Sequence, residues 1–321
     1  MEFEFVADAE GQQVKRLLKR FGISKNLLAR VKFDGGEIFV NGREENAIYP
    51  LSVGDDVKIV VPDEPANPEL IAEDFPLEII YEDEDYLVIN KPTGFPSITG
   101  REKPTGSISN FVAGYLQATH QPNQTVHLVS RLDRGTSGLQ LFAKHSYAHA
   151  LMNNGKGRDS YEKRYYAVIA ADKRVFSEKN TFAAADSSWQ HYEPSGKFLS
   201  ADTIDAPIGR RETSIIERCV RFDGLWEAKN AQTSYETLEI KNDLRLLDVL
   251  LHTGRTHQIR VHFAYLGYPL IGDALYGGDT SVSPRQALHC HSLKFENLIR
   301  HKKIELEIPL AADISAIFNS S

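Results

Sequence analysis

Cysteine is nearly absent from this chain. The two present, Cys219 and Cys290, make neither a disulfide framework nor a thiolate metal cage. No apolar run approaches the roughly 18 residues that cross a bilayer. The N-terminus, MEFEFVADAEGQ, lacks the basic and apolar regions of a secretory signal. These absences fit a reducing cytoplasm, with no membrane partner. Phosphate-binding glycine loops are missing too: neither GxxxxGKS/T nor GxGxxG after a strand occurs. GTSG is not the nucleophile elbow GxSxG, because Gly138 follows Ser137 directly. HExxH is absent. There is no internal repeat and no low-complexity tract.

What is there suits a soluble globular protein of two domains: 321 residues, 41% hydrophobic and 25% charged. The net charge of −7 weighs mildly against a nucleic-acid partner. Placement of the charge matters more than its sum. Every charged residue from Gln12 to Lys32 is basic (Lys15, Arg16, Lys19, Arg20, Lys25, Arg30 and Lys32), whereas acids gather in DEPANPELIAEDFPLEIIYEDED.

The first segment reads as a small α/β unit. Val14, Leu17, Leu18 and Phe21 recur at helical spacing up to Gly22, and Ser24 can cap a second helix carrying Leu27, Leu28 and Val31. EIFVNGRE alternates like a strand and turns at Asn41-Gly42, with a closing strand through Val57, Ile59 and Val61. Proline-rich PDEPANPEL (62–70) marks a linker, which gives domains 1–66 and 67–321. Strands are then expected in LEIIYEDEDYLVINKP, LQLFA, RYYAVIAA, TSYETLEI and LRLLDVLLH, with a helix from Ser146 to Met152. Thr256 is a candidate cap for a helix presenting Ile259, Phe263 and Leu266. Between 173 and 230 the pattern weakens into polar loops.

Two clusters invite chemistry. His252, His257 and His262 recur every five residues, and His289 and His291 flank Cys290. Five residues advance a helix by about 500°, so the first set drifts off one face; packed or hydrogen-bonded histidines are the expectation, with no metal. HLVSRLDRGTSGLQLFAKH (127–145) is the sharper case. Asp133 lies between Arg131 and Arg134, and two nearby cations favour the ionised carboxylate. In extended backbone residues 131 and 133 point the same way, so Arg131 would share a cavity with Asp133. Gly135 and Gly138 permit a tight turn or a close approach to a ligand. The competing reading is a structural Asp–Arg pair in a turn, and residue types alone leave both open.

RLDRGTSG followed by AK resembles the RLDxxTSGxxxxAK motif of RluA-type RNA pseudouridine synthases. In the same order, DYLVINKPTG (85–94) resembles that family's first motif and EKRYYAVI (162–169) its K-x-Y-x-A strand. TGRTHQIRVHFAYLGYPLIGDALYG (253–277) and RQALHC (285–290) are similar to its C-terminal motifs. The first segment resembles the alpha-L (S-four-like) RNA-binding domain. One departure stands out: many members have His before the motif arginine, and here it is Ser130. The resemblance implies an α+β fold, with a small helix-helix-hairpin domain ahead of a mixed, mainly antiparallel sheet flanked by helices.

The implied reaction isomerises uridine in RNA to pseudouridine without a cofactor. It implies Asp133 as the essential carboxylate, attacking ribose or base or taking a ribose proton. Arg260 would hold that carboxylate, and Tyr165 would stack on uracil with its hydroxyl near carbon 5. Arg131 would hold the place of the flipped base, and the seven N-terminal basic residues would bind phosphates. The implied partner is structured RNA, by default from the large ribosomal subunit with transfer RNA as an alternative, acted on by a monomer. The rival readings are a non-catalytic RNA-binding platform and a metal-dependent hydrolase using the histidines.

Overall fold

A computed structural model describes residues 1–100, 102–171, 199–241 and 243–320. The N-terminal unit contains β1 (Glu2–Val6), β2 (Gln12–Gln13), α1 (Val14–Arg20), α2 (Lys25–Phe33), β3 (Glu37–Val40), β4 (Arg43–Glu44), β5 (Pro50–Leu51) and β6 (Asp56–Val60). Here the expected helix-helix-hairpin gains a strand. β1 alternates buried Phe3 and Phe5 with exposed neighbours and pairs with β6, so the sheet runs β1-β6-β3-β4. Ser24 caps α2 as expected, its hydroxyl accepting from Leu27 N. Phe21 is not on the buried stripe; it is 41% exposed, with its ring against Phe5.

The larger part contains β7 (Ile79–Glu82), β8 (Tyr86–Lys91), α3 (Ile108–Ala118), β9 (His127–Leu128), β10 (Ser137–Ala143), α4 (Ser146–Asn153), α5 (Gly155–Asp159) and β11 (Glu162–Ala170). It continues with β12 (Ala201–Asp205), β13 (Ile208–Arg210), β14 (Arg218–Val220), β15 (Gln232–Lys241), β16 (Leu244–Leu251), α6 (Gln258–Tyr265), β17 (Leu288–Asn297), β18 (Lys302–Glu307) and α7 (Ala312–Ser320). The stretch expected to be polar loops thus holds three strands, β12 to β14, in its described portion; 173–198 lie outside the described residues. A ten-stranded sheet runs β12-β15-β16-β11-β17-β10-β8-β7, with β18 on β17 and β9 on β10. Only the β10–β17 pairing is parallel among the described strands. β10 is buried at every position, as a strand covered on both faces must be.

The proline-rich connection is strapped down. Glu64 is 3% exposed, accepts from Ser146 N at 2.9 Å, and pairs with Arg30 at 3.1 Å and with His127. Tyr147 on α4 belongs to the N-terminal apolar core, with its hydroxyl donating to Phe21 O, and Leu151 packs against the same core.

Candidate active site

The Asp133 loop leads into β10 and is fastened from several directions. Ser97 Oγ donates to Leu132 O at 2.7 Å and accepts from Leu132 N at 2.9 Å. Arg134 Nε donates to Gly94 O at 2.8 Å, and Gly94 N donates back to Arg134 O. Lys91 is fully buried, and its ammonium donates to the carbonyls of Pro92, Arg134 and Thr136. Burial, with Arg285 adding repulsion and Asp133 opposing, pushes the Lys91 pKa down to about 7. Arg285, ion-paired to Asp313, donates to Gly135 O at 3.0 Å. The glycines serve packing here: a Cβ on Gly138 would stand 2.2 Å from Cys290 O, and one on Gly135 2.3 Å from the Gln286 amide.

The two sequence neighbours do not hold the Asp133 carboxylate. Arg134 is spent on Gly94, and Arg131 is exposed at the mouth of the same cavity, reached from a loop and not from a strand. Its partner comes from 127 residues away: Arg260 Nη1 donates to Asp133 Oδ2 at 3.0 Å. Arg260 is itself clamped by Asp273, Nε to Oδ2 at 2.7 Å and Nη2 to Oδ1 at 2.9 Å, and lies over the Tyr276 ring. Burial works against its charge, but Asp273 and Asp133 more than offset this, so the guanidinium stays charged. Asp133 keeps 27% of its side chain exposed, into a cavity of about 480 Å³, within the ~300–1,000 Å³ usual for small-molecule sites.

α6 does not begin on Thr256. Its N-cap is His257, in the left-handed region at φ 59°, and the turn before it is organised by Gln258, whose Oε1 accepts from Thr253 Oγ1 and Arg255 N. His257 Nδ1 lies 2.8 Å from the Tyr276 hydroxyl, which accepts from Arg218 N, and Nε2 faces Asp133 at 3.8 Å. Burial lowers the His257 pKa, with Asp133 opposing. Of the other histidines singled out in the sequence, His252 is exposed at the cavity and lies 2.7 Å from Ser234 Oγ, and the remaining three are engaged in the interior. His262 bonds Thr233 and Ala206 O, His289 bonds Ser137 and Pro309 O, and burial lowers both to about 4. His291 stacks on Tyr166 and contacts Asp248. Among the described residues no group of three or more His, Cys, Asp or Glu is placed to hold a metal.

Tyr165 reaches the cavity from β11, where β17 carries an extra residue: Arg164 pairs with Ser292 but Tyr165 with Cys290. Lys163 and Tyr165 line the cavity, whereas Arg164 and Tyr166 engage Asp248 and His291 away from it. Burial, then Cys290, Tyr161 and Asp133, raise the Tyr165 phenol well above its ordinary value, and burial pushes the Cys290 thiol up to about 12. Ser130, at the departure from the family motif, is buried; its Oγ accepts from Leu141 N and its carbonyl from Gln140 Nε2.

Asp133, Tyr165 and Arg260 therefore meet, as the resemblance implies. Composition and spacing alone missed Asp273, Tyr276 and His257, and the supports Lys91, Ser97 and Arg285. The 253–277 stretch held His257, Asp273 and Tyr276, NKP held Lys91 and RQALHC held Arg285, without a role being read for them; nothing local marked Ser97.

A family model described as RNA pseudouridylate synthase matches residues 85–265. The chain belongs to the RNA pseudouridine synthases. The synthase is 39% identical to the Bacillus subtilis RNA pseudouridine synthase YjbO, over 95% of this chain and 97% of that one. It is 31% identical to ribosomal large subunit pseudouridine synthase D of Vibrio parahaemolyticus, over 77% of this chain and 71% of that one. In fold it matches human RNA pseudouridylate synthase domain containing 1 with a TM-score of 0.53 at 23% identity, covering 77% of this chain and 86% of that one.

The seven N-terminal basic residues divide. Lys15, Arg16, Lys19, Lys25 and Lys32 are exposed and form no ion pair among the described residues. Arg20 pairs with Asp8 and Arg30 with Glu64, which removes Arg30 from any open phosphate-binding face. No described helix is long and apolar enough to cross a membrane.

Proposed function

We propose that this synthase isomerises uridine in large-subunit ribosomal RNA through Asp133. The observation that carries the reading is the Asp133–Arg260–Asp273 chain: a carboxylate held by a guanidinium that is itself immobilised, open to a cavity beside Tyr165. The target uridine must leave its stack, at a cost of a few kcal/mol. Arg131 takes the vacated position in this reading, which its exposure at the cavity supports.

Within the cavity the ring of Tyr165 supports the uracil. The N1–C1′ bond breaks, the base turns, and C5 bonds to C1′. One proton leaves C5 and one arrives at N1, so no redox partner or external energy source is required. Asp133 takes the ribose-side role, as a nucleophile or proton acceptor. Tyr165, protonated at neutral pH, holds its hydroxyl to the base. The N-terminal unit, proposed as residues 1–66, grips phosphates through Lys15, Arg16, Lys19, Lys25 and Lys32. Ribosomal RNA is favoured by the relative named for the large subunit.

Chemical mapping of pseudouridine in cellular RNA, with and without this protein, tests the substrate. Loss of specific large-subunit sites supports the reading; loss confined to transfer RNA overturns it. Asp133→Asn should restore none of the lost sites, and restoration would remove Asp133 from the chemistry.

A further inference from the structure

Lys163 stands two residues before Tyr165 on β11 and lines the same cavity. Its ammonium lies 5.6 Å from the ring centroid of Tyr161 and 6.0 Å from that of Tyr165. Among the described residues it forms no hydrogen bond and no ion pair. The other cations of the cavity differ. Arg260 is spent on Asp133 and Asp273, Arg255 Nε donates to Asn230 O, and Arg131 and Arg158 are exposed at the rim. Lys163 is thus a partly buried cation whose donors are left for a ligand.

Such a group is costly. Removing an ammonium from water without a partner disfavours folding, and a Met of similar length would fill the space without that penalty. Burial lowers the Lys163 pKa, while Cys290 and Asp133 pull it back up. The rings of Tyr161 and Tyr165 give it only cation–π contact.

We propose that Lys163 is a catalytic residue that donates a hydrogen bond to a uracil oxygen and holds the negative charge the base acquires as its bond to ribose breaks. The proposal rests on the synthase reading with Asp133. The ammonium lies over the Tyr165 ring, 6.0 Å from its centroid, so a base seated in the cavity beside that ring comes within reach of it. When the N1–C1′ bond opens, its electron pair stays with the base and spreads onto the carbonyl oxygens. A cation held beside the base stabilises this charge at the moment it forms. Lys163 keeps its proton throughout and ends the cycle unchanged, while C5 attacks C1′ and the C5 proton is exchanged for one at N1. A contact to phosphate would instead call for a position at the rim, where Arg131 and Arg158 already stand.

The test uses the full chain and total RNA from cells lacking this protein. Two RNA preparations are used in single turnover. One carries tritium at uracil C5 and is read as tritium release. The other carries 5-fluorouridine labelled at C6, which has no C5 hydrogen, and is read as conversion to C-glycosidic product after nuclease digestion and chromatography. Fluorine at C5 makes the departing base more acidic and less dependent on an external cation. Lys163→Met should retain RNA affinity, lose about a hundredfold in rate on uridine, in the range for removing one charge-stabilising donor, and lose clearly less on 5-fluorouridine. Its melting temperature should equal or exceed that of the parent, which a structural role would not allow. Lys163→Arg should recover part of the rate.

Three outcomes overturn the proposal: an unimpaired Lys163→Met, an equal deficit on both bases with a lowered melting temperature, or weaker binding with an unchanged rate at saturation. Asp133→Asn is the separating control. If it turns over like the parent, the reading beneath the proposal fails first.

Discussion

A carboxylate with one fixed partner can be aimed, and Asp273 supplies the fixing. It is 1% exposed and takes two of the Arg260 nitrogens, leaving Nη1 for Asp133. Asp273→Asn removes that charge and frees the guanidinium to swing. Turnover is expected to fall about a hundredfold, as misplacement of a catalytic group by about 1 Å can do, with RNA affinity unchanged in a filter-binding assay. Tyr165→Phe keeps the ring but loses the hydroxyl. It should bind RNA normally, release tritium from C5 at least about a hundredfold more slowly, and be impaired after glycosidic cleavage. Wild-type tritium release would free the hydroxyl of any proton-transfer role. Asp133 was legible from its setting in RLDRGTSG. Its real partner was not, because a contact spanning 127 residues leaves no local periodicity.

At the scale of elements, the Asp133 loop has no regular structure and is held by side chains from other segments. Lys91 bonds three carbonyls around it. Lys91→Met would leave those carbonyls without that donor, and a loss on the order of 3 kcal/mol is expected from the cost of unpaired buried groups. Denaturant unfolding would show it as a lower midpoint, together with lost activity; a variant as stable as the parent would contradict this account. Strands and helices with strong patterns read correctly from sequence, among them β8, β10, β11, β16 and α4. β1 was missed because its period of two is carried by only two phenylalanines in an acidic stretch. α6 misled on its start because His257 takes a left-handed conformation that side-chain propensity does not favour.

For the whole molecule, the contact between the N-terminal unit and the larger sheet passes through Glu64. Burial alone would raise its carboxyl, but hydrogen bonds from His127 and Ser146 more than offset this and hold it at about 2, against an ordinary 4.5. A folded-state value below the unfolded one means stability that is present above about 4.5 and is lost as pH falls toward about 2. The melting temperature should decline across that window, and Glu64→Gln should be less stable at neutral pH with a flatter acid profile. A second expectation concerns the basic helices. Replacing Lys15, Arg16, Lys19 and Lys25 by Gln should weaken RNA binding and flatten its log–log salt dependence by roughly 0.7 per lost contact to a single strand. An unchanged slope would show that this face meets no phosphate.

α4 joins these scales. Its first residue is bonded by Glu64, Tyr147 and Leu151 lie against the N-terminal core, and Met152 and Asn153 line the cavity. One helix therefore sets the span from the basic face to Asp133. If the basic face grips phosphates as proposed, the molecule works as a ruler: a uridine would reach the carboxylate only when its RNA places phosphates at that fixed distance, so that shape would select where no base is read.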